Sequence, residues 1–192
     1  MSDTTINQER RGLFGSLLSN VSNSVKNVKS EIAKDNKPKT FLIAPPYNND
    51  KSLFQSECLS CDGICGTVCE EDIIKFSEEH MPYLAFSISG CTFCEECAKA
   101  CESREYEEDH TPPLSLKNEE KINVSLSIVD DACLAWNKTM CFSCKEPCLE
   151  NAIIFDGLFK PVIDMEKCTS CGFCVSRCPT SAIIVHQNSE GK

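Results

Sequence analysis

Apolar positions along the chain follow two different periods. Phe14, Leu18, Val21, Val25, Val28 and Ile32 recur at spacings of 4, 3, 4, 3 and 4, with Ser, Asn and Lys on the other positions. That is the stripe of an amphipathic helix, and Pro38 is placed to end it. Pro45-Pro46-Tyr47-Asn48-Asn49-Asp50 then reads as a linker with turn chemistry. Further on, the apolar runs become short and β-branched, and they repeat. Cys148-Leu-Glu-Asn-Ala-Ile-Ile-Phe155 aligns without a gap with Cys178-Pro-Thr-Ser-Ala-Ile-Ile-Val185, and Cys69-Glu-Glu-Asp-Ile-Ile-Lys-Phe76 is a looser copy. Each copy predicts a tight turn followed by a strand, and Pro161-Val-Ile-Asp164 predicts one more. Strands this short bury little surface alone, so something held by the neighbouring cysteines must supply cohesion. No apolar run approaches the ~18 residues of a membrane-spanning helix.

Composition sharpens this. The chain has 192 residues, 41% hydrophobic and 25% charged, a globular balance of one or two domains. Sixteen residues are cysteine, a density typical of secreted disulfide scaffolds. Arg10-Arg11 has the look of a twin-arginine export signal. The following residues 16–25 hold only four apolar side chains, however, and no A-x-A cleavage site follows. A reducing cytoplasm and free thiols are therefore expected. Residues 1–40 carry seven Lys/Arg against four acids, leaving a net charge of −13 on the rest of a chain whose total is −10. An acidic body excludes nucleic acid as a partner class, because phosphate binding needs clustered cations.

The cysteines form four groups of four: Cys58, Cys61, Cys65, Cys69; Cys91, Cys94, Cys97, Cys101; Cys133, Cys141, Cys144, Cys148; and Cys168, Cys171, Cys174, Cys178. The last, C-x2-C-x2-C-x3-C followed by Pro179, is the bacterial ferredoxin run. Three thiolates on one tight loop can each meet a different iron of a cubane, while the fourth, a turn later, points toward a neighbouring cluster. Pro179 is expected in the first turn of a following short helix, and Gly172 to let the loop backbone approach the cluster. The second group has the same spacing with Glu102 in place of the proline. The first carries one extra residue near Gly63, and in the third seven residues separate Cys133 from Cys141. Four [4Fe-4S] clusters are expected, three at minimum if the third group is empty.

Gaps of 22 residues from Cys69 to Cys91 and 20 from Cys148 to Cys168, against 32 from Cys101 to Cys133, predict two modules. The fold expected is α+β: tandem bacterial-type 2[4Fe-4S] ferredoxin-like modules at 52–121 and 122–192, preceded by a basic helical arm and linker at 1–51. Two ligation patterns remain open. In the crossed pattern Cys58, Cys61 and Cys65 take Cys101; Cys91, Cys94 and Cys97 take Cys69; Cys133, Cys141 and Cys144 take Cys178; and Cys168, Cys171 and Cys174 take Cys148. In the other, each group holds its own cluster. Structural zinc fits poorly, because zinc pairs are separated by a longer spacer. His80, His110 and His186 show no ligand spacing, and no nucleotide loop or catalytic constellation is visible. Oxidised clusters would add about −2 each, so a cationic partner patch or the basic arm has an acidic body to meet.

Taken in order, Arg10-Arg11-Gly12, Pro45-Pro46-Tyr47, Asp131-Ala-Cys-Leu-Ala-Trp136, Cys141-Phe-Ser-Cys-Lys-Glu-Pro-Cys148 and Ala152-Ile-Ile-Phe155 resemble the NapF family, ferredoxin-type accessory proteins of the periplasmic nitrate reductase system. The resemblance runs from about residue 8 to residue 186. It implies a non-enzymatic cytoplasmic iron–sulfur protein, with all sixteen cysteines as cluster ligands. It also implies a partner, the precursor of the nitrate reductase catalytic subunit, matured before export by electron or cluster transfer. An electron-transfer subunit, or polyferredoxin, of a respiratory oxidoreductase is the alternative. The extra residue in the first group and Glu102 are departures from the family pattern.

Overall fold

The computed structural model describes residues 41–48, 50–104 and 111–188; the helical seam from Phe14 to Ile32, the Arg10-Arg11 pair and His110 lie outside the described residues. Leu42–Lys192 constitute one compact unit. In chain order its elements are α1 (Ser52–Glu57), α2 (Ile64–Thr67), β1 (Ile74–Phe76), β2 (Pro82–Leu84), α3 (Glu96–Glu102), β3 (Val124–Ile128), β4 (Ile153–Asp156), β5 (Phe159–Ile163), α4 (Phe173–Arg177) and β6 (Ile183–Gln187). The mixture of short helices and short strands agrees with the α+β expectation.

In the C-terminal half the two copies of the sequence repeat become β4 and β6, and each takes a different antiparallel partner. β6 pairs with β3, placing Leu126 opposite Val185 and Ile128 opposite Ile183. β4 pairs with β5, with Ile153 opposite Ile163 and a bulge at Phe155/Asp156. The period-2 geometry turns Ile153 and Ile183 inward and leaves Ile154 and Ile184 exposed. Leu126, Ile153 and Ile183 then close around Cys144 and Cys174 in one core cluster. Two of its five buried members are therefore thiols.

The N-terminal half repeats this plan with shorter pairings. β1 and β2 form a hairpin, Ile74 opposite Leu84 and Phe76 opposite Pro82. The loose copy of the repeat thus also ends in a strand. The outer pairing corrects an expectation. Pro45–Asn48, read as linker, is an integral part of the body: Pro45, Pro46 and Tyr47 are buried. Asn48 bridges Leu114, the Tyr47 N–H donates to the Glu119 carbonyl at 3.1 Å, and Ser115 N–H donates to Tyr47 O at 3.0 Å. The Leu84 N–H adds a bond to Ile43 O at 2.7 Å. Prolines have no N–H to leave unsatisfied, so at the margin of a pairing they can be buried without orphaning a donor. Turn composition alone does not reveal that.

One further expectation changes. Among the described residues no helix follows Pro179. α4 precedes it and stops at Arg177, because Cys178 is extended (φ −74°, ψ 113°) as a residue before proline prefers. Residues 178–181 then turn, with the Ser181 N–H donating to Cys178 O at 3.2 Å. Where Glu102 replaces the proline, α3 runs on through Cys101 to Glu102. The Glu102 carboxylate accepts from the Ser115 hydroxyl at 2.5 Å and the Leu116 N–H at 3.0 Å. The departure from the family pattern thus lengthens one helix and ties it to the next segment.

Candidate metal centres

Three cysteine loops turn at a residue of positive φ. Gly63 (φ 73°), Glu95 (φ 68°) and Gly172 (φ 88°) directly precede α2, α3 and α4. Reversing the chain there starts a helical turn inside each group. The third cysteine of each, Cys65, Cys97 and Cys174, is carried inward to 9% exposure or less, while the earlier two stay on the loop. Gly172 also serves the packing between the two halves. A Cβ at this position would meet the Phe86 ring at 2.3 Å, so its missing side chain admits a packed aromatic from the N-terminal half.

The third group lacks such a helix. Its long loop is coiled around Asn137, whose Nδ2 lies 3.1, 3.1 and 2.9 Å from the carbonyl oxygens of Asp130, Asp131 and Cys133. Trp136 Nε1 donates to Pro161 O at 3.1 Å, anchoring the loop to β5. Sequence reasoning missed Asn137, since one asparagine in a polar loop carries no signal of its own. Replacing it by Ala is expected to cost roughly 1–2 kcal/mol. Any iron held by this group should also be the first released when the chain meets a chelator, read as a fast fraction of chelated iron that the parent protein lacks.

The sixteen thiols are all free, and they converge in four cavities. One is lined by Cys58, Cys61, Cys65 and Cys101, with Phe54, Phe76 and Pro113 around them. Another is lined by Cys69, Cys91, Cys94 and Cys97 under Tyr47. Cys133, Cys141, Cys144 and Cys178 share the third. Cys148, Cys168, Cys171 and Cys174 share the fourth, which Cys91 also reaches. In every case the fourth cysteine of a group stands with the first three of its neighbour. His80 and His186 are exposed and line none of these cavities.

Backbone amides point at the sulfurs. The Ala152 N–H donates to Cys148 Sγ at 3.3 Å and the Ala182 N–H to Cys178 Sγ at 3.1 Å, the same bond in both copies of the repeat. Phe93 N–H approaches Cys91 Sγ and Ser170 N–H approaches Cys168 Sγ, each at 3.4 Å. Burial, reinforced by the charge of the facing cysteines, pushes the Cys58, Cys65, Cys97 and Cys174 thiols up to about 12. Cys91 and Cys144 are pushed to about 11, again chiefly by burial. Thiols so crowded and desolvated resist ionising unless a cationic centre compensates.

That donor set fits an iron–sulfur cluster. Each cavity brings four cysteine sulfurs together, the all-thiolate donor set of a [4Fe-4S] cluster. The comparisons agree. The family model described as "4Fe-4S binding domain" matches residues 161–184. Ferredoxin-type protein NapF of Escherichia coli (strain K12) is 33% identical over 145 residues, 73% of this chain and 82% of the relative. Ferredoxin-type protein NapF of Haemophilus influenzae is 32% identical over 158 residues, 80% and 84% of the two chains.

The chain belongs to the NapF family.

Ferredoxin-type protein NapG of Haemophilus influenzae is a more distant relative of this NapF-family chain, 26% identical over 157 residues that make up 71% of the chain and 54% of NapG. As a member of the NapF family the protein is a ferredoxin-type iron–sulfur protein that carries [4Fe-4S] chemistry, not an enzyme. Among its described residues no helix is long and apolar enough to cross a membrane.

Proposed function

We propose that this protein carries four [4Fe-4S] centres in two tandem ferredoxin-like modules, behind a basic arm, and assists maturation of the periplasmic nitrate reductase catalytic subunit in the cytoplasm. The first module begins at Leu42 rather than at residue 52, since Ile43 bonds to β2 while Tyr47 and Asn48 pair with residues 114–119; the second runs from residue 122. Its ligands are the sixteen cysteines in crossed sets: Cys58, Cys61, Cys65 with Cys101; Cys91, Cys94, Cys97 with Cys69; Cys133, Cys141, Cys144 with Cys178; Cys168, Cys171, Cys174 with Cys148. The grouping of these thiols in four cavities supports that reading. When bound, such centres supply reversible one-electron chemistry. The chain's part is to hold them and to tune them through burial and N–H···S bonds.

Membership in the NapF family carries the functional reading. The partner is the catalytic-subunit precursor, to which the protein supplies electrons or a cluster. Anaerobic isolation of the tagged full chain from nitrate-grown cells tests it. The precursor is expected to co-purify, and deletion of the gene to lower periplasmic nitrate reductase activity. Unchanged activity after deletion, with no precursor bound, would overturn the proposal. Co-purification with quinol-oxidising membrane subunits instead would identify an electron-transfer subunit of a respiratory oxidoreductase.

A further inference from the structure

The two halves meet backbone to backbone at their cysteine loops. The Cys91 N–H donates to the Cys171 carbonyl at 2.7 Å. Buried Gly90 makes this approach possible: a Cβ there would lie 2.4 Å from the Phe173 amide nitrogen and 2.7 Å from Cys171 O, both backbone atoms that cannot swing away. On the reciprocal side Gly172 admits the Phe86 ring, where a Cβ would sit 2.3 Å from an aromatic carbon. Phe86 is itself 5% exposed. As a result Cys91, Thr92 and Phe93 from one half form part of the wall around Cys148, Cys168, Cys171 and Cys174 in the other.

Within each half the sites also adjoin. α2 and α3, which carry Cys65 and Cys97, pack on one another, and Cys144 and Cys174 share a core cluster. The order in space is therefore the Cys58 site, the Cys91 site, the Cys168 site and the Cys133 site. The two groups of regular ferredoxin spacing meet in the middle, and the two irregular loops lie at the ends.

We propose that Gly90, Gly172 and the Cys91–Cys171 hydrogen bond form an electron junction between the halves, holding the Cys91 and Cys168 sites edge to edge so that the four centres make one path. The junction rests on the four-centre reading given above. One electron leaves the centre on one side and enters the centre on the other, so that the first is oxidised as the second is reduced. The crossing consumes no proton and no other reactant. Gly90 and Gly172 are positioning residues.

The test uses the full chain, loaded and purified anaerobically, given less than one electron per molecule by a photoreduced flavin and sampled by freeze-quench EPR. In the parent protein the electron is expected to redistribute between the halves in a phase whose rate does not change with protein concentration. Gly90→Ala, with iron and sulfide content equal to the parent, is expected to lose that phase and to equilibrate only by collision between molecules. A fully loaded Gly90→Ala protein that keeps the phase overturns the junction. So does a fully loaded parent that lacks it, and this measurement decides the matter even where the variant does not load. A shortfall of iron in the parent instead defeats the four-centre reading, and the junction with it, before any kinetics are read.

Discussion

Stripping iron and sulfide from the loaded chain is expected to unfold most of it. Among the described residues the strands are three to five residues long and every sheet has two strands, a size that is marginal in water by itself. The C-terminal core cluster draws two of its five buried residues from cysteine, Cys144 and Cys174. Without a bound group those thiols face cavities and each other, with ionisation opposed by burial. Binding energy at a structural metal site, on the order of 10–16 kcal/mol in zinc-finger peptides, matches or exceeds the roughly 5–15 kcal/mol that stabilises a whole domain. Removal should therefore abolish the cooperative thermal transition and near-UV circular dichroism, and collapse amide protection across both halves. A metal-free chain that melts cooperatively at the temperature of the loaded one would show that the apolar core suffices and would refute this account.

How far the sequence already disclosed this arrangement depends on whether a feature is local. The gap-free repeat pointed to β4 and β6, and its looser copy to β1, because a β-branched run after a turn needs only its own residues to be recognised. β5 starts two residues before the apolar run Pro161–Asp164, because pairing with β4 recruits Phe159 as well. β3 was not singled out: Val124–Ile128 alternates with serine and acquires its meaning from β6, far along the chain. Pro45–Tyr47 carried the composition of a linker and became core through contacts with residues 114–119. The cysteine spacing exposed all sixteen candidate ligands but left two pairings open, and the cavities group the thiols as the crossed alternative does. Nothing in the spacing pointed to the contact between Cys91 and Cys171. Gly90 looked like any loop glycine, and only the opposing backbone gives its missing side chain a purpose.

The crossed assignment makes a second large-effect prediction, in which two double variants behave in opposite ways. Cys133→Ala with Cys178→Ala removes two ligands of one centre if the sets are crossed, but one ligand from each of two centres if every group keeps its own. Cys133→Ala with Cys148→Ala reverses that logic. Crossed ligation therefore expects the first double variant to lose about 4 iron atoms from about 16, like either of its single variants, and the second to lose about 8. Two substitutions in one unit are non-additive, and two in separate units add. The spectroscopic count agrees in direction, with one quarter of the reduced-cluster EPR intensity altered in the first case and one half in the second. This count remains informative where an incomplete cluster persists and blurs the iron total. A general loss of folding cannot mimic the pattern, since each double variant carries the same number of substitutions and Cys133→Ala is common to both. Removing Cys178 or Cys148 also frees an equivalent amide, Ala182 or Ala152, from its sulfur, so the local cost is matched as well. Equal losses in the two double variants would sink the crossed sets, and the larger loss in the first would return each centre to its own group.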